Sequence, residues 1–182
     1  MSSPMKADDI AGSNVCKLTC DFELLRKSSI FAGADTEVVK LFAYLAQRKT
    51  YQPGELIIEQ GEDAKTAYFM ISGEAEITCW HKDKEVLLQK LIPGTFSGEL
   101  ALLARFKWFF NLRASAETEM LTITRESFLK VLERFPEKRE RLVERIVQLR
   151  IERLAEQTNF MLEKLPDNLL NEWVWSPSRL SI

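Results

Sequence analysis

The chain has 182 residues, a mass of 21.0 kDa and 46 % hydrophobic residues, enough to bury a sizeable core, which excludes a chain disordered throughout. Its formal net charge of -2 and pI near 5.7 supply no overall basic field for nucleic acid or an anionic membrane. The one histidine, His81, cannot by itself build a zinc site, a metal-dependent cupin or a nucleophile–base pair, so neither a metal nor an enzyme is expected.

Residues 1–20 are small, polar and aperiodic, and read as a flexible N-terminal arm. They lack the apolar run of a signal peptide, and no stretch of the chain approaches the ~18 apolar residues of a membrane span. Cys16, Cys20 and Cys79 form no even-numbered framework. Reduced thiols in a cytoplasmic protein are the expectation.

Residues 21–135 read as one folded body. Phe22, Leu24 and Leu25, then Val38, Val39, Leu41, Phe42, Leu45 and Ala46, recur at roughly helical spacing. They predict two short amphipathic helices, the second capped by Asp35 or Thr36. Between Tyr51 and Thr124 short β-rich runs replace that period, at residues 56–58, 67–71, 75–78, 86–88 and 120–123. Gly54, Gly61, Gly73, Gly94 and Gly98 punctuate them, as closely spaced strands with positive-φ corners require. A small β-barrel or β-roll follows, and with it a mainly β fold with flanking helices.

The helical period returns with Phe128, Val131, Leu132 and Phe135. After Pro136, which suits a first helical turn, residues 136–164 predict one long helix. Its apolar stripe lies between arginines and glutamates, and serves either to pack on the chain's own roll or to form a homodimer seam. The seam residues would be Leu142, Ile146, Leu149 and Arg153. Residues 165–182 form a tail whose Trp173 and Trp175 need a surface to pack on.

This order of helix pair, glycine-punctuated roll and long helix carries two motifs, Tyr51-Gln-Pro-Gly54-Glu-Leu-Ile-Ile-Glu-Gln-Gly61 and Tyr68-Phe-Met-Ile-Ser-Gly73-Glu. Together they resemble the cyclic nucleotide-binding domain family, to which catabolite activator proteins and protein kinase A regulatory subunits belong. The resemblance runs from about Leu24 to Leu154. It implies a jelly-roll-like β-roll, a double-stranded β-helix, with cyclic AMP or cyclic GMP as ligand.

Pro93-Gly94-Thr95-Phe96-Ser97-Gly98-Glu99-Leu100-Ala101-Leu102-Leu103 looks like the opening of that family's phosphate-binding cassette. The resemblance implies that Gly98, Leu100 and Ala101 open a short helix whose N–H groups face the phosphate. Glu99 would accept from the ribose 2′-hydroxyl, and an arginine about nine positions later would neutralise the phosphodiester. Read without gaps, that position is Trp108. Lys107 then replaces a proline, Phe109 and Phe110 replace small residues beside the phosphate, and Arg113 is an ordinary strand residue.

A second register makes Arg113-Ala-Ser-Ala116 the arginine element, at the expense of two compensating gaps. On the gapless register Phe106, Trp108, Phe109 and Phe110 fill the pocket, and binding of cyclic AMP or cyclic GMP is weakened or lost. Alternatively these aromatics stack on a purine or another flat anionic ligand, with Arg105 or Lys107 supplying the charge. After Leu165 too few residues remain for the helix-turn-helix of the family's transcription factors, so no DNA-binding domain is expected. The reading is a non-enzymatic sensor or regulatory module; the alternatives are a genuine cyclic-nucleotide-binding regulatory protein that uses Arg113 or Arg105 for the phosphate, or a fragment of a larger signalling protein.

Overall fold

The computed structural model describes the backbone of residues 7–164 and the side chains from Lys17 onward. The tail holding Trp173 and Trp175 lies outside the described residues. The chain divides into two compact units, the first ending at Ile146 and the second beginning at Val147.

The first unit opens with α1 (Ala7–Lys27), a 3-10 turn (Ser29–Phe31) and α2 (Thr36–Leu45). Residues 1–20, read as a flexible arm, are therefore helical from Ala7 on. No proline interrupts residues 7–27, and the lone Gly12 costs a helix only about 1 kcal/mol against alanine. Tertiary contacts hold the C-terminal part of α1: Leu25 is fully buried, and the Asp21 carboxylate accepts from Arg48 Nε at 2.7 Å. Arg48 Nη1 in turn donates to Glu119 Oε1 at 2.9 Å. Asp35 stands at the N-cap of α2 without a capping bond. Its carboxylate instead pairs with Lys138 Nζ at 3.0 Å.

Eight strands follow: β1 (Gln47–Tyr51), β2 (Leu56–Ile58), β3 (Thr66–Ser72), β4 (Ala75–His81), β5 (Lys84–Leu91), β6 (Phe96–Ser97), β7 (Asn111–Ala114) and β8 (Thr118–Thr124), with α3 (Leu100–Leu103) between β6 and β7. They form two four-stranded antiparallel sheets, ordered β1-β8-β3-β6 and β2-β7-β4-β5, which make the jelly-roll-like β-roll. Met70 and Met120 from the first sheet meet Ile58, Ala75, Leu91 and Leu112 from the second in one buried cluster. The roll is thus packed with side chains inside. β5 is an edge strand, and its Val86, Leu87 and Leu88 are exposed.

α4 (Arg125–Arg134) is capped by the Thr124 hydroxyl, which accepts from Ser127 N at 3.1 Å. It closes a second apolar layer in which Phe42 lies between Phe31, 4.9 Å away, and Phe128, 5.8 Å away. Pro136 opens a 3-10 turn (Pro136–Lys138), and the long helix α5 begins after it, at Arg139, and runs to Lys164. Leu142 and Ile146, expected on a dimer seam, are buried within the single chain, and so is Leu149. Arg153 is half-buried. In the second unit Val147, Ile151, Leu154, Phe160, Met161 and Leu162 are exposed. Among the described residues no helix is long and apolar enough to cross a membrane.

Candidate functional site

The cassette begins where β6 ends. Gly98 adopts φ +80, and a Cβ there would lie 2.8 Å from Trp108 Cη2 and 3.1 Å from the Thr66 carbonyl oxygen. Backbone conformation and space both demand glycine at this position. Glu99, at the N-cap of α3, is buried at 3 % exposure. Leu100 is half-buried, while Ala101 and Leu102 are buried.

The other end of α3 is held from α4. Arg125 Nε donates to the Ala101 carbonyl at 2.7 Å, and Nη2 donates to the carbonyls of Ala64, at 2.9 Å, and Ala104. Its backbone N–H donates to the Lys65 carbonyl at 2.8 Å. No sequence motif points to Arg125, because its partners are backbone carbonyls, which leave no signature in residue types.

Beyond α3 an extended segment alternates sides. Arg105, Lys107 and Phe109 are exposed, whereas Trp108 and Phe110 are buried and Phe106 is half-buried. Main-chain bonds pin it to residues 61–64: Trp108 N to the Glu62 carbonyl at 2.8 Å, Gly61 N to the Trp108 carbonyl at 2.7 Å, and Ala64 N to the Phe106 carbonyl at 2.9 Å. These bonds drive the indole inward, where it meets Phe106 edge-on at 5.3 Å and Phe110 at 5.3 Å. Trp108 belongs to the cluster that fills the roll, together with Ala64 and Ala101.

The structure therefore brings Trp108, Gly98, Ala101, Phe106 and Phe110 together, and leaves Arg105, Lys107, Phe109 and Arg113 exposed. Phe109, expected among the pocket-filling aromatics, is 59 % exposed because the alternation turns it outward. Arg105 is exposed. Lys107 Nζ bonds the Gly61 carbonyl at 3.0 Å and pairs with Asp63 at 3.7 Å. Arg113 lies on β7 between the buried Leu112 and Ala114 and is itself exposed, so its side chain takes the opposite face. Its Nη1 donates to the Gly54 carbonyl at 2.8 Å. Pairing of Asn111–Ala114 with Ala75–Thr78 on β4 puts Arg113 within a strand.

Two tyrosines missed in the sequence pack against the same cluster, Tyr51 and Tyr68. Burial pushes the Tyr68 hydroxyl above its ordinary value. Burial also pushes Tyr51 up to about 12, with Tyr68 and Glu55 adding to the effect. Both phenols are neutral near pH 7. Among the described residues no group of three or more His, Cys, Asp or Glu could hold a metal ion.

Comparison with known proteins gives these features a context. The profile of the cyclic nucleotide-binding domain matches residues 48–135. The human potassium/sodium hyperpolarization-activated cyclic nucleotide-gated channel 4 is 28 % identical over 169 residues, 93 % of this chain and 13 % of the channel. The chain thus spans a small part of the length of the curated relatives it matches. Among solved structures, the Thermus thermophilus catabolite activator protein is 28 % identical with a TM-score of 0.62, over 75 % of this chain and 62 % of that one. The regulatory domain of Toxoplasma gondii PKA, crystallised with cAMP, has a TM-score of 0.65 at 20 % identity, over 80 % of this chain and 52 % of that one.

Proposed function

Since the chain belongs to the cyclic nucleotide-binding domain family, whose domains are regulatory and not catalytic, we propose that this regulatory module no longer takes cyclic AMP or cyclic GMP in the family's manner. The observation that carries the reading is the Trp108 indole against Gly98, in the gapless position of the phosphate-neutralising arginine. A lost hydrogen bond to a charged group costs about 1.5–3 kcal/mol, roughly a ten- to hundred-fold weaker affinity. A purine stacked on the aromatics is disfavoured by the same geometry, since Phe106 meets Trp108 edge-on and Phe110 lies tilted against it. Calorimetric titration with cyclic AMP and cyclic GMP tests the reading. We expect no heat of binding at micromolar concentrations, and micromolar or tighter binding overturns the proposal.

The module acts as a homodimer through α5. The exposed Val147, Ile151, Leu154 and Met161, with Thr158 between the last two, follow alternating four- and three-residue steps. That is the spacing of a two-helix seam. It lies on residues other than Leu142, Ile146 and Leu149, which are already buried. Light scattering at tens of micromolar should give a dimer mass that Ile151→Asp reduces to a monomer; a monomeric unaltered chain refutes the seam. A regulatory segment within a larger signalling protein is a second reading, favoured by the alignment of 93 % of this chain with 13 % of a channel.

A further inference from the structure

The junction between α1 and the 3-10 turn carries Arg26-Lys27-Ser28-Ser29, two basic residues placed three and two positions before a serine. The two serines have different environments. Ser28 is buried, and its hydroxyl donates to the Leu25 carbonyl at 2.7 Å. Ser29 is exposed. Ser28 has an extended backbone, φ -72 and ψ 151, so the helix ends just before the serine and the segment can be presented to an enzyme groove after the last helical turn frays.

The chain also places cations from a distant element beside this turn. Arg145 Nε, on α5, donates to the carbonyl of Ser29 itself at 3.0 Å. Arg141 Nη2 would lie 3.3 Å from a Cβ on Gly33, four residues further on. Glu23 pairs with Arg26 at 2.8 Å and Asp35 with Lys138 at 3.0 Å. Arg145 thus stands at the backbone of the residue that would carry a dianionic group, and charge-assisted bonds to arginine are the strongest that a phosphate makes in such a setting.

We propose that Ser29 is a phosphorylation site for a serine kinase that recognises basic residues on the N-terminal side of its target, and that Arg145 receives the phosphate. The Ser29 hydroxyl oxygen bonds the γ-phosphorus of ATP as the bridging β–γ oxygen bond breaks; the electron pair leaves with ADP, and the hydroxyl proton passes to the kinase's base. The modification ties the end of α1 to the first turns of α5 and is independent of the cassette.

The test treats the whole chain with ATP and a serine kinase selecting arginine three positions before its target, alongside a peptide spanning residues 24–34. Mass spectrometry should place one phosphate on Ser29, and Arg26→Gln should slow its addition by about tenfold. The modified protein should melt at a higher temperature than the unmodified one, and Arg145→Gln should abolish that rise. A phosphorylated peptide beside an unmodified chain overturns the site as a folded-state target. If neither is modified, the motif fails. A phosphate on Ser29 whose effect on melting is absent, or unchanged in Arg145→Gln, overturns Arg145 as its receiver. A cyclic-nucleotide titration answers separately, because no residue of the cassette takes part.

Discussion

Truncating Trp108 to alanine tests whether the indole supports the roll from within. A large aromatic buries about 150–250 Å², which at ~25 cal/mol per Å² corresponds to roughly 4–6 kcal/mol. Trp108 is 6 % exposed, so most of that area is out of water. Its two ring contacts, at 5.3 Å each, add about 0.5–1.5 kcal/mol apiece, partly overlapping the area term, and local collapse offsets some of the total. Measured tryptophan truncations in cores fall at about 3–5 kcal/mol, so a loss of about 4 kcal/mol is expected. That is a large fraction of a typical stability of ~5–15 kcal/mol. Urea unfolding followed by far-ultraviolet circular dichroism measures it without relying on the fluorophore removed. The cavity left beside Gly98 and Ala101 would be apolar, and such cavities take flat apolar ligands; added free indole should raise the melting temperature of Trp108→Ala and leave the unaltered chain unchanged. A loss under about 1 kcal/mol, outside the range for a core aromatic, would refute the claim that this side chain fills the ligand's place.

Two further outcomes follow from local geometry. A Cβ on Gly73 would lie 2.3 Å from the Glu117 carbonyl oxygen and 2.6 Å from Thr118 Cα, both backbone, whereas one on Gly94 meets nothing within 4 Å. Gly73→Ala should therefore prevent soluble expression, while Gly94→Ala pays only for its positive φ, about 1–2 kcal/mol, readable in urea; similar costs at both sites would contradict the close approach at Gly73. Raising pH gives a second readout. The Tyr51 hydroxyl titrates near 12 in the folded chain against an ordinary 10.0, so its contribution is fully present below about pH 10 and is lost as pH climbs through about 12. Tyr51→Phe should flatten the alkaline loss of ellipticity over that window, and an unchanged profile would exclude Tyr51 as a contributor.

The roll was legible in the sequence because glycines with positive φ mark its corners: Gly54, Gly61, Gly73, Gly94 and Gly98 all adopt that conformation. The count from Glu99 to Trp108 needs no gap, and the strand expected after it is β7, Asn111–Ala114. β1 escaped because Gln47–Tyr51 has no apolar alternation; its pairing with β8 makes it a strand. α1 escaped as far as Ala7 because weak propensity over polar residues does not announce a helix whose anchor, Asp21 to Arg48, lies at its far end. On α5 the spacing reveals two apolar stripes without saying which one the chain's own body covers. Side-chain direction in the segment 105–110 depends on the main-chain bonds to residues 61–64, long-range information that residue types do not contain.

Arg125 gives α3 a particular kind of response. One guanidinium holds the carbonyls of Ala101 and Ala104 at the end of α3 and of Ala64 in the β2–β3 connection. Each bond to such a charged group contributes about 1.5–3 kcal/mol, and a partial displacement of α3 would forfeit several of them before any new partner is reached. Small thermal excursions are therefore penalised steeply, and α3, Ala64 and the first turn of α4 separate together or remain in place. In hydrogen exchange this predicts a shared opening for the α3 and α4 amides, and removal of one side chain, Arg125, should divide it into two.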